Sequence, residues 1–144
     1  MNVNGIRIAV TGLNIFEAAS GIIGAVGLVA GFMDIPVSVL SGTPFTDFTV
    51  PALLLGLVVG GSALVAAVIT AFGPPSSGAL ASVVAGCITV GYLTVEIAMI
   101  GLGAWPQVVW LLVGVLMIGL AALLWQAGAH AAGVSASRQP ISVG

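Results

Sequence analysis

A chain of 144 residues that is 60% hydrophobic and only 4% charged cannot cover a water-facing surface, since soluble domains carry roughly 25% charged residues. Its mean hydropathy of +1.30 therefore makes lipid the expected solvent. Two basic and four acidic residues are too few cations for a phosphate backbone, which argues against nucleic acid as a partner, and a single cysteine excludes an internal disulfide.

Four apolar runs are read along the chain, at about 6–32, 50–72, 79–102 and 107–129. Each exceeds the roughly 20 residues that cross a hydrocarbon core at 1.5 Å per residue. The expectation is an all-α, single-domain bundle of four transmembrane helices over 1–144. Residues 33–49 then form an external loop and 130–144 a short cytoplasmic tail. The apolar stretch after Arg7 is too long for a signal-peptide core, and three more follow it, so it is read as a span.

The first span carries Asn14, Glu17, Gly21, Gly24, Leu28 and Gly31 at steps of three and four. That is one seam, polar toward one end and small toward the other. Small residues let membrane helices approach closely, which replaces the hydrophobic drive that lipid does not supply. The loop 33–49 follows, with Asp34 and Asp47. Asp47 lies just before Thr49 and Pro51, where a carboxylate meets the free N–H groups of a helix start. Thr49 is the expected N-cap, and Phe45 and Phe48 are expected to fold back and pin the loop.

The second span offers Gly56, Gly60, Ala63, Ala67 and Thr70 along one stripe. Gly73-Pro74-Pro75-Ser76-Ser77-Gly78 reads as a turn. The third span offers Thr89, Tyr92, Glu96, Met99 and Gly103, and Cys87 within it reads as a buried structural thiol. Gly103-Ala104-Trp105-Pro106 is the last breaker, with Pro106 at a first-turn position. In the fourth span Trp105, Trp110 and Trp125 fall near the ends, where aromatic belts form. Arg7 and Arg138 flank the first and last spans. By the positive-inside rule both termini are cytoplasmic.

Glu17 and Glu96 are the residues that any function must explain. A mid-membrane carboxyl costs about 2.5–3.5 kcal/mol on insertion scales and is normally paired, neutral or functional. By helical rise Glu17 lies roughly 15 Å deep and Glu96 roughly 25 Å, which keeps them apart. Ser62 and Thr89 are the expected partners of Glu17, and Tyr92 lies one turn from Glu96. No lysine exists in the chain, so an internal counter-ion is not expected. Glu17, Glu96, Tyr92 and Asn14 are thus the candidate proton or ligand site.

The lone His130 reads as interfacial. No nucleophile triad, phosphate loop, cofactor motif or metal-ligand spacing is present in the sequence, so no catalytic residue is assigned. The expected role is a non-enzymatic accessory or interaction component. The alternative is a proton-coupled small-solute transporter or channel, acting as a homodimer through Glu17 and Glu96. A lipid or quinone binder beside Glu96 and Tyr92 is a third reading. Expected partners are the bilayer, a second copy or other membrane subunits.

The run Ser41-Gly42-Thr43-Pro44-Phe45-Thr46-Asp47-Phe48-Thr49-Val50-Pro51-Ala52-Leu53, followed by Val59-Gly60-Gly61, resembles the entrance to the second span in a group of small four-span actinobacterial membrane proteins of unknown function. Gly91-Tyr92-Leu93-Thr94-Val95-Glu96-Ile97 is similar to that group's third span, and Ala18-Ala19-Ser20-Gly21 to its first. Ala52 stands where the group has glycine, and Tyr92-Leu93 where it has Trp-Ile. The resemblance implies a bacterial cytoplasmic membrane protein with this topology, and no activity. Glu17 is also similar in placement to the first-span acid of small multidrug exporters, but the third-span Trp-Ser-Gly of those proteins is missing here.

Overall fold

The computed structural model describes residues 2–103 and 105–137. Four helices carry the fold: α1 (Val3–Ala30), α2 (Thr49–Phe72), α3 (Pro75–Ile100) and α4 (Trp105–Ser137). All four are long and apolar enough to span a membrane, and among the described residues there is no strand. The chain is thus an all-α, multi-pass membrane-type bundle.

Local chemistry explains the boundaries. Asn2 caps α1 by accepting the Asn4 N–H at 3.1 Å. Gly31, at φ 73°, ends it in the left-handed conformation that glycine adopts without strain. Residues 37–40 form one 3-10 turn in the loop. At the start of α2 the capping position belongs to Phe48 rather than Thr49. The Asp47 carboxyl supplies the side-chain cap instead, accepting the Thr49 N–H at 2.8 Å.

Between Leu54 and Gly60 α2 widens into a π-helix, which turns the adjacent pair Val59 and Gly60 inward together. Helix α3 begins at Pro75, four residues before the expected start, so the turn shrinks to residues 73–74. The glycine read as part of the turn, Gly78, packs instead: a Cβ there would stand 2.8 Å from the Thr70 Cα. Helix α4 continues through the alanine-rich 127–132, so the first part of the expected tail is helical. Arg138 lies outside the described residues.

The helices form a ring in which α1 packs on α2, α2 on α3, α3 on α4 and α4 on α1. Contacts between low and high numbers, such as Gly21 with Gly60 and Gly86 with Gly114, make neighbours antiparallel. Two crossings are set by glycine. A Cβ on Gly21 would approach the Gly60 Cα to 3.0 Å, and one on Gly86 would meet Ile118 Cγ1 at 2.8 Å and the Gly114 carbonyl at 2.9 Å. The second crossing belongs to none of the three expected stripes.

Apolar clusters fill the interior, one of Ile6, Val10, Ala79 and Leu124, the other of Ala66, Ala85 and Met117. Bulky aliphatics such as Ile23, Leu57, Val65 and Leu112 face outward.

Two placements correct the sequence reading. Cys87 is exposed on the outside of α3 rather than buried. The buried stripe of α3 runs Gly78, Ser82, Ala85, Gly86, Thr89 and Leu93, while Met99 and Gly103 are exposed. Both follow from one cause: an almost uniformly apolar helix does not advertise its rotational phase. Trp110, expected at the membrane edge, packs edge-on against Phe16 of α1, with centroids 5.3 Å apart at 88°.

Candidate functional site

Glu17 occurs half-way along α1, one turn beyond Asn14 on the same face. The seam that carries them turns inward, leaving Asn14 0% and Glu17 2% exposed. Across from them α2 contributes Thr70, and α3 contributes Ser82 and Thr89, all buried.

The hydrogen bonds run in one direction. Asn14 Nδ2 donates to the Val10 carbonyl at 2.8 Å and to Ser82 Oγ at 2.9 Å. Ser82 Oγ pairs with Thr70 Oγ1 at 3.1 Å. Thr70 in turn reaches the carbonyls of Ala66, at 2.7 Å, and Gly78, at 3.2 Å. Since carbonyls only accept, the Thr70 proton goes to one of them, and Ser82 donates to Thr70. Thr89 Oγ1 stands 3.1 Å from Glu17 Oε1 and 3.1 Å from its own helix's Ala85 carbonyl. Among the described residues two buried side-chain oxygens are left without a donor, Asn14 Oδ1 and Glu17 Oε2.

Ser62, the other expected partner of Glu17, instead donates to the Val59 carbonyl at 3.0 Å. Its side chain returns to its own helix, which leaves Thr89 as the interhelical donor to Glu17.

Glu96 belongs to a separate cluster at the α3–α4 corner. Gln107 Nε2 donates to Glu96 Oε1 at 3.1 Å and to the Gly101 carbonyl at 3.3 Å, while Gln107 Oε1 accepts the Gly103 N–H at 3.2 Å. One buried amide thereby joins the acid to the turn. Tyr92 lies beside Glu96, and its hydroxyl donates to the Pro51 carbonyl of α2 at 3.4 Å. The four candidate residues thus divide into two pairs, Asn14 with Glu17 and Tyr92 with Glu96.

Arg7 was read from the sequence only as an orienting charge. In the fold its Nε donates to the Thr70 carbonyl at 2.7 Å, and its Nη2 to those of Ala71, at 2.7 Å, and Gly73, at 2.8 Å. These are groups at the end of α2, where a helix leaves carbonyls unpaired and its dipole favours a cation. Arg7 and Glu17 lie ten residues apart on the same helix, which separates their Cα atoms by roughly 15 Å along the axis.

In the loop, the Thr49 N–H bond holds the exposed Asp47 carboxyl below the usual carboxylate range. Thr43 Oγ1 donates to the Leu40 carbonyl at 2.8 Å and accepts the Phe45 N–H at 3.2 Å. Phe45 and Phe48 are half-buried. His130 is exposed, with Nδ1 2.7 Å from the Gln126 carbonyl, on a groove of about 590 Å³ that α1 and α4 form with Val3, Ile6 and Ala127. Neither that groove nor a second of about 280 Å³ between α3 and α4 touches Glu17 or Glu96. Among the described residues no three His, Cys, Asp or Glu side chains gather as a metal site would require.

No protein-family model matches the chain, and no curated protein or solved structure is similar to it.

Proposed function

We propose that this is a non-enzymatic integral protein of a bacterial cytoplasmic membrane, acting as an accessory or interaction component with its termini in the cytoplasm. The observation that carries this reading is the enclosure of its most reactive-looking groups. Glu17 and Asn14 are shut off from the surface, and their hydrogen bonds end on groups of the same bundle. A group that no substrate reaches works by fixing helix positions. The outer surface is correspondingly aliphatic, with glycines such as Gly12, Gly91 and Gly119 opening on free space. Such a surface suits lipid and the close approach of another helix, from a second copy or a different subunit.

Arg7 supports the cytoplasmic N-terminus through the positive-inside rule. The resemblance to small actinobacterial four-span proteins supports the compartment. Recovery of a constant membrane-protein partner or a second copy from native membranes is the expected result. Consistent recovery of a lone monomer overturns it.

One observation favours the transporter reading instead: two buried oxygens await a donor or a cation. Proton-coupled flux in liposomes that disappears with Glu17→Gln would establish that reading in place of the accessory role.

A further inference from the structure

The orientation of the Asn14 amide is settled by its neighbours. Its nitrogen lies 2.8 Å from the Val10 carbonyl, and a carbonyl accepts only, so that atom is the NH₂ group and Oδ1 faces the other way. Oδ1 is an acceptor with no donor, on a side chain that is 0% exposed. Glu17, three residues on and on the same face, presents Oε2 with no donor either. The two acceptors belong to side chains one helical turn apart, and two acceptors cannot satisfy each other. One proton between them satisfies both.

We propose that Asn14 and Glu17 form a buried one-proton binding site, in which Glu17 is a neutral acid and its Oε2–H donates to Asn14 Oδ1. The bond extends the directional chain of donors: Glu17 to Asn14, Asn14 to Ser82, Ser82 to Thr70, Thr70 to a backbone carbonyl. Each member then donates onward to the next.

A metal cation fits less well. Ser82 Oγ already accepts from Asn14 and bonds Thr70, and the single Thr89 proton serves Glu17 Oε1 and the Ala85 carbonyl. Two free oxygens fall short of the shell that a hard cation takes. Counter-charge from the surrounding elements is also missing. The titratable side chains of the described helices besides Glu17 are Arg7 on α1, Cys87, Tyr92 and Glu96 on α3, and His130 on α4, with none on α2. Arg7 is bonded to the end of α2, and Glu96 to Gln107.

The site does not depend on the accessory role and stands or falls separately. Infrared spectroscopy of the protein in lipid at pH 7 tests it. A protonated-carboxyl C=O band is expected in the wild type and in Glu96→Gln, where Glu17 is the remaining acid of the membrane helices. The band of Glu96→Gln disappears when Glu17→Gln is added to it. Glu17→Gln alone keeps a wild-type unfolding midpoint, because its amide N–H donates the same bond to Asn14. Replacing sodium by choline leaves the wild-type midpoint unchanged. Absence of the band from Glu96→Gln overturns the proposal, and so does a midpoint that falls when sodium is withdrawn. Should Glu17→Gln fail to fold, the Glu96→Gln spectrum decides alone.

Discussion

Arg7→Met removes the guanidinium and keeps most of the apolar stem. Three carbonyls at the end of α2 lose their donor: Thr70 and Ala71 in the last turn, and Gly73 just beyond it. Hydrogen bonds to a charged partner contribute about 1.5–3 kcal/mol each, which summed over three bonds would be large. The site is only part-buried, so water and headgroups replace part of what is lost. The expected net destabilisation is about 2–4 kcal/mol. Arg7→Lys should lose about half as much, because an ammonium has charge but not the planar fork that reaches both helical carbonyls and the turn. The assay is detergent-driven unfolding in mixed micelles, followed by tryptophan fluorescence, on protein whose topology has first been verified. An Arg7→Met variant within about 0.5 kcal/mol of wild type, the ordinary range for a surface change, would refute the reasoning.

Gly86→Ala should destabilise the α3–α4 crossing by about 1–3 kcal/mol through overpacking, since its Cβ meets backbone at 2.9 Å; Gly91→Ala, which opens on free space, should be neutral or slightly stabilising in the same assay. Thr89→Val keeps shape but strips Glu17 Oε1 of its donor, for an expected loss of about 1–2 kcal/mol, whereas Thr89→Ser should lose less. For Asp47 the sign follows from its lowered folded-state pKa. The cap is fully present above the ordinary carboxylate range and is lost as pH falls through the lowered value. The protection factor of the Thr49 amide, taken against the intrinsic exchange rate at each pH, should fall over that acidic window, and Asp47→Asn should abolish that fall.

The spans were legible because a chain with 4% charged residues leaves little but length and breakers to read. So was the first half of the α1 seam, Asn14, Glu17 and Gly21, which is buried; farther along, Gly27 is buried instead and Gly31 is exposed. Asp47 before Thr49 was legible too, as a local pattern of a few residues. Long-range partnerships were not. Ser82 bonds Asn14 across 68 positions, and Arg7 bonds the end of α2 across 63 to 66. Nothing local in either segment records the match.

Gln107 looked like an ordinary helix start, yet its buried amide is what Glu96 bonds. The phase of α3 was misjudged because Tyr92 and Glu96 mark only its distal half. Ser82, Ala85 and Gly86 set the rest, and small residues look alike on every face.

The central claim is that Glu17 and Asn14 lie in a closed, packed interior rather than along a solvent path. Ser82→Cys in a Cys87→Ser background places a thiol in the middle of that interior, where Ser82 is 0% exposed. Ser41→Cys in the exposed loop serves as the control. With the protein in liposomes, a membrane-impermeant thiol reagent should label position 41 only from the side on which the loop lies, and should leave position 82 unmodified from both sides. Labelling of position 82 from either side would contradict the account, because it would mean that water reaches the acid.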